Sequence, residues 1–332
     1  MKDSKTRLCF LSKSSPQHYK LLDRALLAEE YSVSNHSYKY SILNVLIFLK
    51  KLRSTDVVFS WFANSWLALL VPFIPRKIKI VVVAGGYDVA NCVELKHGAR
   101  FKLILGWLTR ILLRRADAVL PVSDFNRMEL LSMVTPRFER RVYNAIDLPE
   151  FSLIPGLRRR NRIITVGIFQ EFISKCKGHY RLLEIAEFMP NYEFVIMGRD
   201  VDGTRAVLEA IAPVNVCFVD YIDRNDMICE LLKSGVYLQL SYYESFGVSV
   251  AEAIACGCYP VVSKGTALPE VCGTNGVVVD GSVALSDVAS LISSALDQEL
   301  YLEIDAGSVR RRFSVDQRKR EIVNVVDLVL SK

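Results

Sequence analysis

A chain of 332 residues, 51% of them apolar and 23% charged, is long enough for two hydrophobic cores and too apolar for intrinsic disorder. The formal net charge is +6, but no basic stretch carries interleaved aromatics or a known binding motif, so no nucleic acid partner is expected. Eight cysteines form no Cys-x-x-Cys framework, and four histidines (His18, His36, His97, His179) show no metal-ligand spacing; a reducing, cytoplasmic setting is expected.

Residues 1–10 are charged and then become strand-like, unlike a secretory signal. A strand at Leu8–Leu11 and a helix at Tyr19–Glu29 follow. Next comes Leu43–Arg53 (LNVLIFLKKLR), an apolar body with a basic end, and then a strand at Val57–Ser60. The longest apolar stretch, Trp66–Ile74, falls short of the roughly 20 residues that span a bilayer. Strand-like Ile78–Ala84, helix-like Lys102–Arg114, Ala118–Pro121, Arg127–Ser132 and Val142–Tyr143 continue the alternation, which implies a parallel sheet with crossover helices. Phe101–Arg115 (FKLILGWLTRILLRR) repeats the apolar-and-basic composition of Leu43–Arg53. Such segments either lie on an anionic membrane surface or pack as ordinary crossover helices with basic ends near solvent.

Pro149–Gly156, followed by Arg158-Arg159-Arg160, breaks the alternation and marks a domain boundary. From Ile163 to about Ala295 the alternation resumes, and Arg310–Leu330 reads as one long helix. The expected domains are residues 1–150, residues 157–308, and a terminal helix over 309–332 returning to the first domain.

The richest segment is Glu244-Ser245-Phe246-Gly247-Val248-Ser249-Val250-Ala251-Glu252, between apolar Val236–Leu240 and a helix-like run ending at Cys256-Gly257. Strand, short loop and helix N-terminus form an anion site, because the first helical amides lack internal partners and the dipole adds positive potential. Gly247 allows a phosphate near the backbone, and Ser245 is a candidate cap. Two carboxylates flanking such a site repel phosphate but accept hydrogen bonds from hydroxyls attached to it, such as a ribose diol or a sugar. A nucleotide-sugar site has this make-up. Cys256-Gly257-Cys258 lacks a second ligand pair and reads as packing.

Glu-x7-Glu with Ser-Phe-Gly after the first Glu resembles the signature of retaining glycosyltransferase family 4, which uses the two-Rossmann GT-B fold. Neighbouring segments are similar to that family in order: Ile164-Thr165-Val166-Gly167 with Lys177-Gly178; Phe194–Gly198; Val216–Val219; Tyr259–Val262; Leu268-Pro269-Glu270-Val271; and Asn275-Gly276. Upstream, Ala84-Gly85-Gly86-Tyr87-Asp88, Pro121-Val122-Ser123 and Tyr143–Asp147 also fit. The match spans nearly the whole chain and is diffuse before about residue 80. Departures are Ile168-Phe169 where the family carries an Arg after the loop glycine, Gly85 in place of a His, Thr266-Ala267 in place of Gly-Gly, and a missing glycine near Asp220. Lys175 and Arg199 are candidates to replace the Arg.

The resemblance implies an α/β GT-B fold, two Rossmann-like domains facing across a cleft with the C-terminal helix crossing back to the first. It also implies transfer of a sugar from a UDP- or GDP-sugar to an acceptor hydroxyl, in glycan, glycolipid or polysaccharide synthesis. Glu252 would take the ribose hydroxyls. Glu244 would contact the transferred sugar, and Lys177 would neutralise the diphosphate. Gly167, Ser245, Phe246, Gly247 and Val248 would complete donor binding. In the first domain, Gly85 and Gly86 would admit a lipid-linked or saccharide acceptor, with Asp88 orienting its hydroxyl. Asp200-Val201-Asp202 spells the Asp-x-Asp that binds metal in a different glycosyltransferase architecture but reads here as loop, so no metal or other cofactor is expected. Rival readings are another GT-B enzyme, such as a nucleotide-sugar epimerase, and a catalytically silent nucleotide-binding or scaffold protein.

Overall fold

A computed structural model describes residues 5–13, 18–149, 159–221 and 223–332. The chain divides into two compact units, Met1–Ala145 with Val315–Lys332, and Ile146–Ser314. The first division thus falls a few residues ahead of Pro149–Gly156, whose residues 150–156 lie outside the described residues, as does Arg158.

The first unit runs β1 (Arg7–Ser12), α1 (His18–Glu30), β2 (Ser32–Ser37), α2 (Ile42–Leu52), β3 (Val57–Trp61), α3 (Ser65–Leu70), a 3₁₀ turn (Val71–Phe73), β4 (Lys79–Ala84), α4 (Leu103–Arg115), β5 (Ala118–Pro121) and α5 (Asp124–Met133). Its sheet is parallel, in the order β2-β1-β3-β4-β5. Central register places Val58 between Cys9 and Ile80, all apolar, as expected of strands buried on both faces. Helix starts are capped locally: Ser41, Asn64 and Ser123 each accept the amide three residues on. Val142–Tyr143 is not a strand. The Val142 amide instead donates to the Pro121 carbonyl beyond the end of β5.

The second unit runs β6 (Arg159–Val166), α6 (Glu171–Lys177), α7 (His179–Glu187), β7 (Glu193–Gly198), α8 (Thr204–Ile211), β8 (Val216–Asp220), α9 (Arg224–Lys233), β9 (Ser234–Gln239), α10 (Val248–Ala255), β10 (Tyr259–Ser263), α11 (Leu268–Cys272), β11 (Val277–Val279), α12 (Leu285–Asp297) and α13 (Ala306–Arg312). Its sheet is also parallel, in the order β11-β10-β9-β6-β7-β8. The chain therefore leaves β6 toward β7 and β8, then resumes on the other side with β9. In parallel sheets, ligands bind at the carboxyl ends of the strands beside such a reversal of order. Here those are the ends of β6 and β9.

The tail expected as one helix over Arg310–Leu330 is two: α13 ends at Arg312 and α14 (Val315–Leu330) starts after Phe313-Ser314. Phe313 is buried against Phe246 in the second unit, ring centroids 5.1 Å apart and edge to face. The helix α14 belongs to the first unit, where Ile322, Val325, Val326 and Val329 form its buried stripe. Arg318 clasps Asp23 of α1 through two bonds of 2.6 and 2.7 Å, and Trp61 Nε1 donates to the same carboxylate at 2.9 Å. Both charges are buried, so removing one partner strands the other at a cost of about 3–5 kcal/mol.

Candidate functional site

The reversal point of the second sheet gathers most of the donor-side residues singled out from sequence. Gly167 follows β6 directly, and its amide donates to the Met197 carbonyl. A β-carbon there would come within 2.9 Å of both His179 Nε2 and Lys177 Cδ, so the missing side chain is what lets Lys177 reach across. Gly178 ends α6 with φ +80°, and a β-carbon on it would lie 2.4 Å from the Leu240 carbonyl oxygen. The Lys-Gly pair is thus fixed by both backbone conformation and space.

Lys177 Nζ lies 3.3 Å from Glu244 Oε2, both side chains about one-fifth exposed. Burial works to lower the Lys177 ammonium, but the Glu244 carboxylate outweighs it, so Lys177 titrates above its usual range and is held charged. The same Glu244 oxygen accepts from Gln239 Nε2 at 3.1 Å, at the end of β9. Gln239 Oε1 in turn accepts from Tyr237 and Ser249 hydroxyls at 3.2 Å each. Glu244 is therefore held by a cation and a buried polar chain that ties β9 to the first turn of α10.

Gly247 is the N-cap of α10 with φ +99°, and a β-carbon there would lie 2.4 Å from Leu268 Cδ2. Ser245, expected as the cap, is not at the N-cap position, which is occupied by Gly247. The first intrahelical amides, Val250 and Ala251, bond the Gly247 carbonyl, so the Val248 and Ser249 amides lie ahead of the helical ladder. Phe246, expected to touch the donor, is instead a core residue, its ring fully buried against Phe313.

Glu252 is a turn further along α10 and only 4% exposed. Its Oε1 takes a 2.5 Å bond from Arg224 Nη2, and Arg224 Nε donates to the Asp147 carbonyl at 2.6 Å. Burial raises the Glu252 carboxyl above its usual range; Arg224 and then Lys177 oppose the rise. Sequence reading missed Arg224, Gln239 and Ser249, because nothing in local pattern links a residue at the start of α9 to one in the middle of α10.

His179 is buried beneath Lys177. Burial first, and the Lys177 charge second, push its imidazole down to about 3, so it is neutral and adds no repulsion. Its Nδ1 pairs with Ser174 Oγ at 3.1 Å. Lys175 bonds the exposed Glu171 at 2.7 Å and Arg199 is exposed, while the guanidinium paired with Glu252 is that of Arg224. Asp202 caps the start of α8 through the Thr204 amide and hydroxyl, and Asp200 accepts the Gly203 amide. Among the described residues no three His, Cys, Asp or Glu side chains cluster as a metal site.

The first-unit residues lie after β4. Gly85 meets the Phe62 ring, where a β-carbon would be 2.5 Å from Cε1, and Gly86 has φ +143°. The orienting role expected of Asp88 does not fit its setting. Its carboxyl is 3% exposed, with Oδ2 accepting the Ala63 amide and Oδ1 the Gly86 amide, both at 3.0 Å. Burial raises it to about 6 against those bonds. Asp88 ties the loop after β3 to the loop after β4 and has no oxygen turned to a ligand.

Residues 160–319, most of the second unit and the start of α14, match the family model "Glycosyl transferases group 1". A protein of Klebsiella pneumoniae described as an "Uncharacterized 41.2 kDa protein in cps region" is 24% identical over 308 residues, covering 87% of this chain and 82% of its own. The O-antigen chain mannosyltransferase B of Escherichia coli is 26% identical over 115 residues, 34% of this chain and 30% of its own. The crystal structure of Anabaena Alr3699/HepE in complex with UDP and glucose superposes with a TM-score of 0.75 at 15% identity, covering 97% of this chain and 99% of that one. The fold, two Rossmann-like units with parallel sheets, is that of the GT-B glycosyltransferases.

Proposed function

We propose that this protein is a retaining glycosyltransferase of family 4, using a UDP- or GDP-sugar and an acceptor hydroxyl in glycan, glycolipid or polysaccharide synthesis. The observation that carries the reading is the Lys177–Glu244 pair at the switch point of the second sheet, beside the open first turn of α10 and the buried Glu252. Lys177 and the amides of Val248 and Ser249 receive the diphosphate. As the nucleoside diphosphate departs it gains negative charge, and a cation already fixed in place stabilises that state more than the ground state. Glu252 Oε2 accepts the ribose diol while Arg224 holds Oε1. Glu244 faces the transferred sugar, kept from Lys177's full charge by its second bond to Gln239. The departing phosphate itself takes the acceptor proton, which dispenses with a separate base.

The setting that fits this reading is the cytoplasm or the inner face of the membrane, with an acceptor that is a saccharide or lipid-linked glycan. In support, the Klebsiella pneumoniae relative lies in a cps region and the Escherichia coli relative builds O-antigen chains. A panel of UDP- and GDP-sugars offered with crude lipid or glycan acceptors tests the proposal. Release of nucleoside diphosphate that depends on acceptor is the expected result. Tight nucleotide binding with no turnover of any donor would point to a silent nucleotide-binding protein instead.

A further inference from the structure

The helices α2, α3 and α4 cover one face of the first sheet: Phe48, Leu52, Trp66, Leu67, Leu108 and Leu112 belong to a single core with Val58, Ile80 and Val82. Each follows a strand of a parallel sheet, so each starts at the carboxyl edge of that sheet, the same edge as the Gly85-Gly86 loop. An ordinary crossover helix is polar on its outer side. These are not. Ile42 is 81% exposed and Leu43 69%, with Leu46 and Ile47 also in solvent; on α4, Leu103 is 90% exposed, Ile104 73% and Trp107 61%. Between them lie exposed Leu69 on α3 and Phe73 in the following 3₁₀ turn. A groove of about 400 Å³ between Ile42 and Leu69, floored by Trp66, joins α2 to α3.

The charges on the same helices are ordered. Leu43 and Ile47 are followed on their own stripe by Lys50, and Leu103 and Trp107 by Arg110 and Arg114, at spacings of three or four residues. Both stripes are apolar at the N-terminal half and basic at the C-terminal half. The segments 39–53, 65–79 and 100–115 contain no Asp or Glu at all, in a chain with 36 of them. A protein partner would be met by a mixed rim. An apolar apex ringed on one side by cations alone matches a layer that is hydrocarbon below and anionic at the headgroups. Among the described residues no helix is long and apolar enough to cross a membrane, so the contact is with a surface.

We infer that α2, α3 and the N-terminal half of α4 form a docking face for an anionic phospholipid bilayer, with Ile42, Leu43, Leu103, Ile104 and Trp107 at acyl depth and Lys50, Arg53, Arg110 and Arg114 at the headgroups. The consequence for the acceptor rests on the glycosyltransferase reading: docking by this edge sets the Gly85-Gly86 loop close to the plane in which a lipid-linked acceptor lies.

Trp107 is the probe, because the other two tryptophans, Trp61 and Trp66, are buried. The intact protein is mixed, without any sugar donor, with vesicles of phosphatidylglycerol and phosphatidylcholine or of phosphatidylcholine alone. We expect co-sedimentation at low salt with the anionic vesicles only, a blue shift of tryptophan emission, and quenching by lipids spin-labelled in the acyl chain; Trp107→Phe abolishes both optical changes. Changing Lys50, Arg53, Arg110 and Arg114 together to Gln weakens binding on the order of a hundredfold or more, and Leu43→Ser with Leu103→Ser also releases the protein. The four-Gln variant touches no core residue, so it remains informative if the serine variant fails to fold. Absence of co-sedimentation, vesicle binding without a change at Trp107, or binding unaltered in the four-Gln variant would overturn the inference. So would a concentration-dependent dimer lost in the serine variant without vesicle binding, since the face would then seat a second copy of the chain. Since no donor is present, vesicle binding succeeds or fails independently of glycosyl transfer.

Discussion

Replacing Glu252 by Gln isolates the donor-side carboxylate with little change of shape. At 4% exposure the group is almost dry, so water does not compensate for a poorer acceptor. Gln keeps the volume and leaves an amide oxygen for Arg224, now 2.5 Å from Oε1, so the α9–α10 contact survives. What is lost is the charge on the oxygen that we propose accepts the ribose diol. Hydrogen bonds to charged groups contribute roughly 1.5–3 kcal/mol and neutral ones roughly 0.5–1.5, so a loss of about 1.5 kcal/mol, or a Kd about tenfold weaker, is expected. Isothermal titration with UDP and with GDP, paired with a thermal melt of the apo variant, measures it. A paired variant, Arg224→Gln, removes the main influence that opposes burial at Glu252; its carboxyl then titrates higher still, and nucleotide affinity should begin to fall at a higher pH on acidification than in the wild type. Unchanged Kd values for both nucleotides in Glu252→Gln, with an unaltered melt, would refute the assignment.

Glu244→Ala should spare nucleotide binding and depress turnover, because we propose that this carboxylate, held by Lys177 and Gln239, faces the sugar; loss of UDP affinity with normal turnover of bound donor would mean the two glutamates have exchanged roles. Transfer activity should survive EDTA, with Lys177 and the first amides of α10 as the diphosphate counter-charge; loss restored by magnesium or manganese would bring Asp200 and Asp202 back as ligands. Asp88 carries its proton more tightly folded (about 6) than unfolded (about 4), so this group stabilises the fold below about pH 4 and that contribution is lost as pH rises to about 6. Between pH 4.5 and 7 the wild type should therefore lose stability relative to Asp88→Asn, by about 3 kcal/mol at most; a difference between the two urea midpoints that is the same at both pH values would contradict it.

Local pattern alone determined much of this protein. The buried strands Ala118–Pro121 and Phe194–Gly198 are continuous apolar runs bounded by breakers, and such runs have one good solution in a parallel sheet. The conformational need for glycine at 167, 178 and 247 was legible for a related reason, since a missing side chain or a fixed φ leaves a mark at one position. Tertiary structure decided what depends on a distant neighbour. The polar Ser32–Ser37 (SVSNHS) becomes the edge strand β2 only because β1 offers a ladder, with no apolar period of its own. The tail breaks after Arg312 because Phe313 is taken into the second unit's core, while Arg318 is drawn to Asp23 across 295 residues. Asp88 reads as a loop acid until the Ala63 and Gly86 amides are seen to close on it, and Phe246 as a site residue until its ring is found against Phe313. The guanidinium that meets Glu252 is that of Arg224, 28 residues upstream and on another helix. Burial and pairing energies act between surfaces brought together by the fold, so a residue whose role is to satisfy a distant buried charge carries no sign of it in its own neighbourhood.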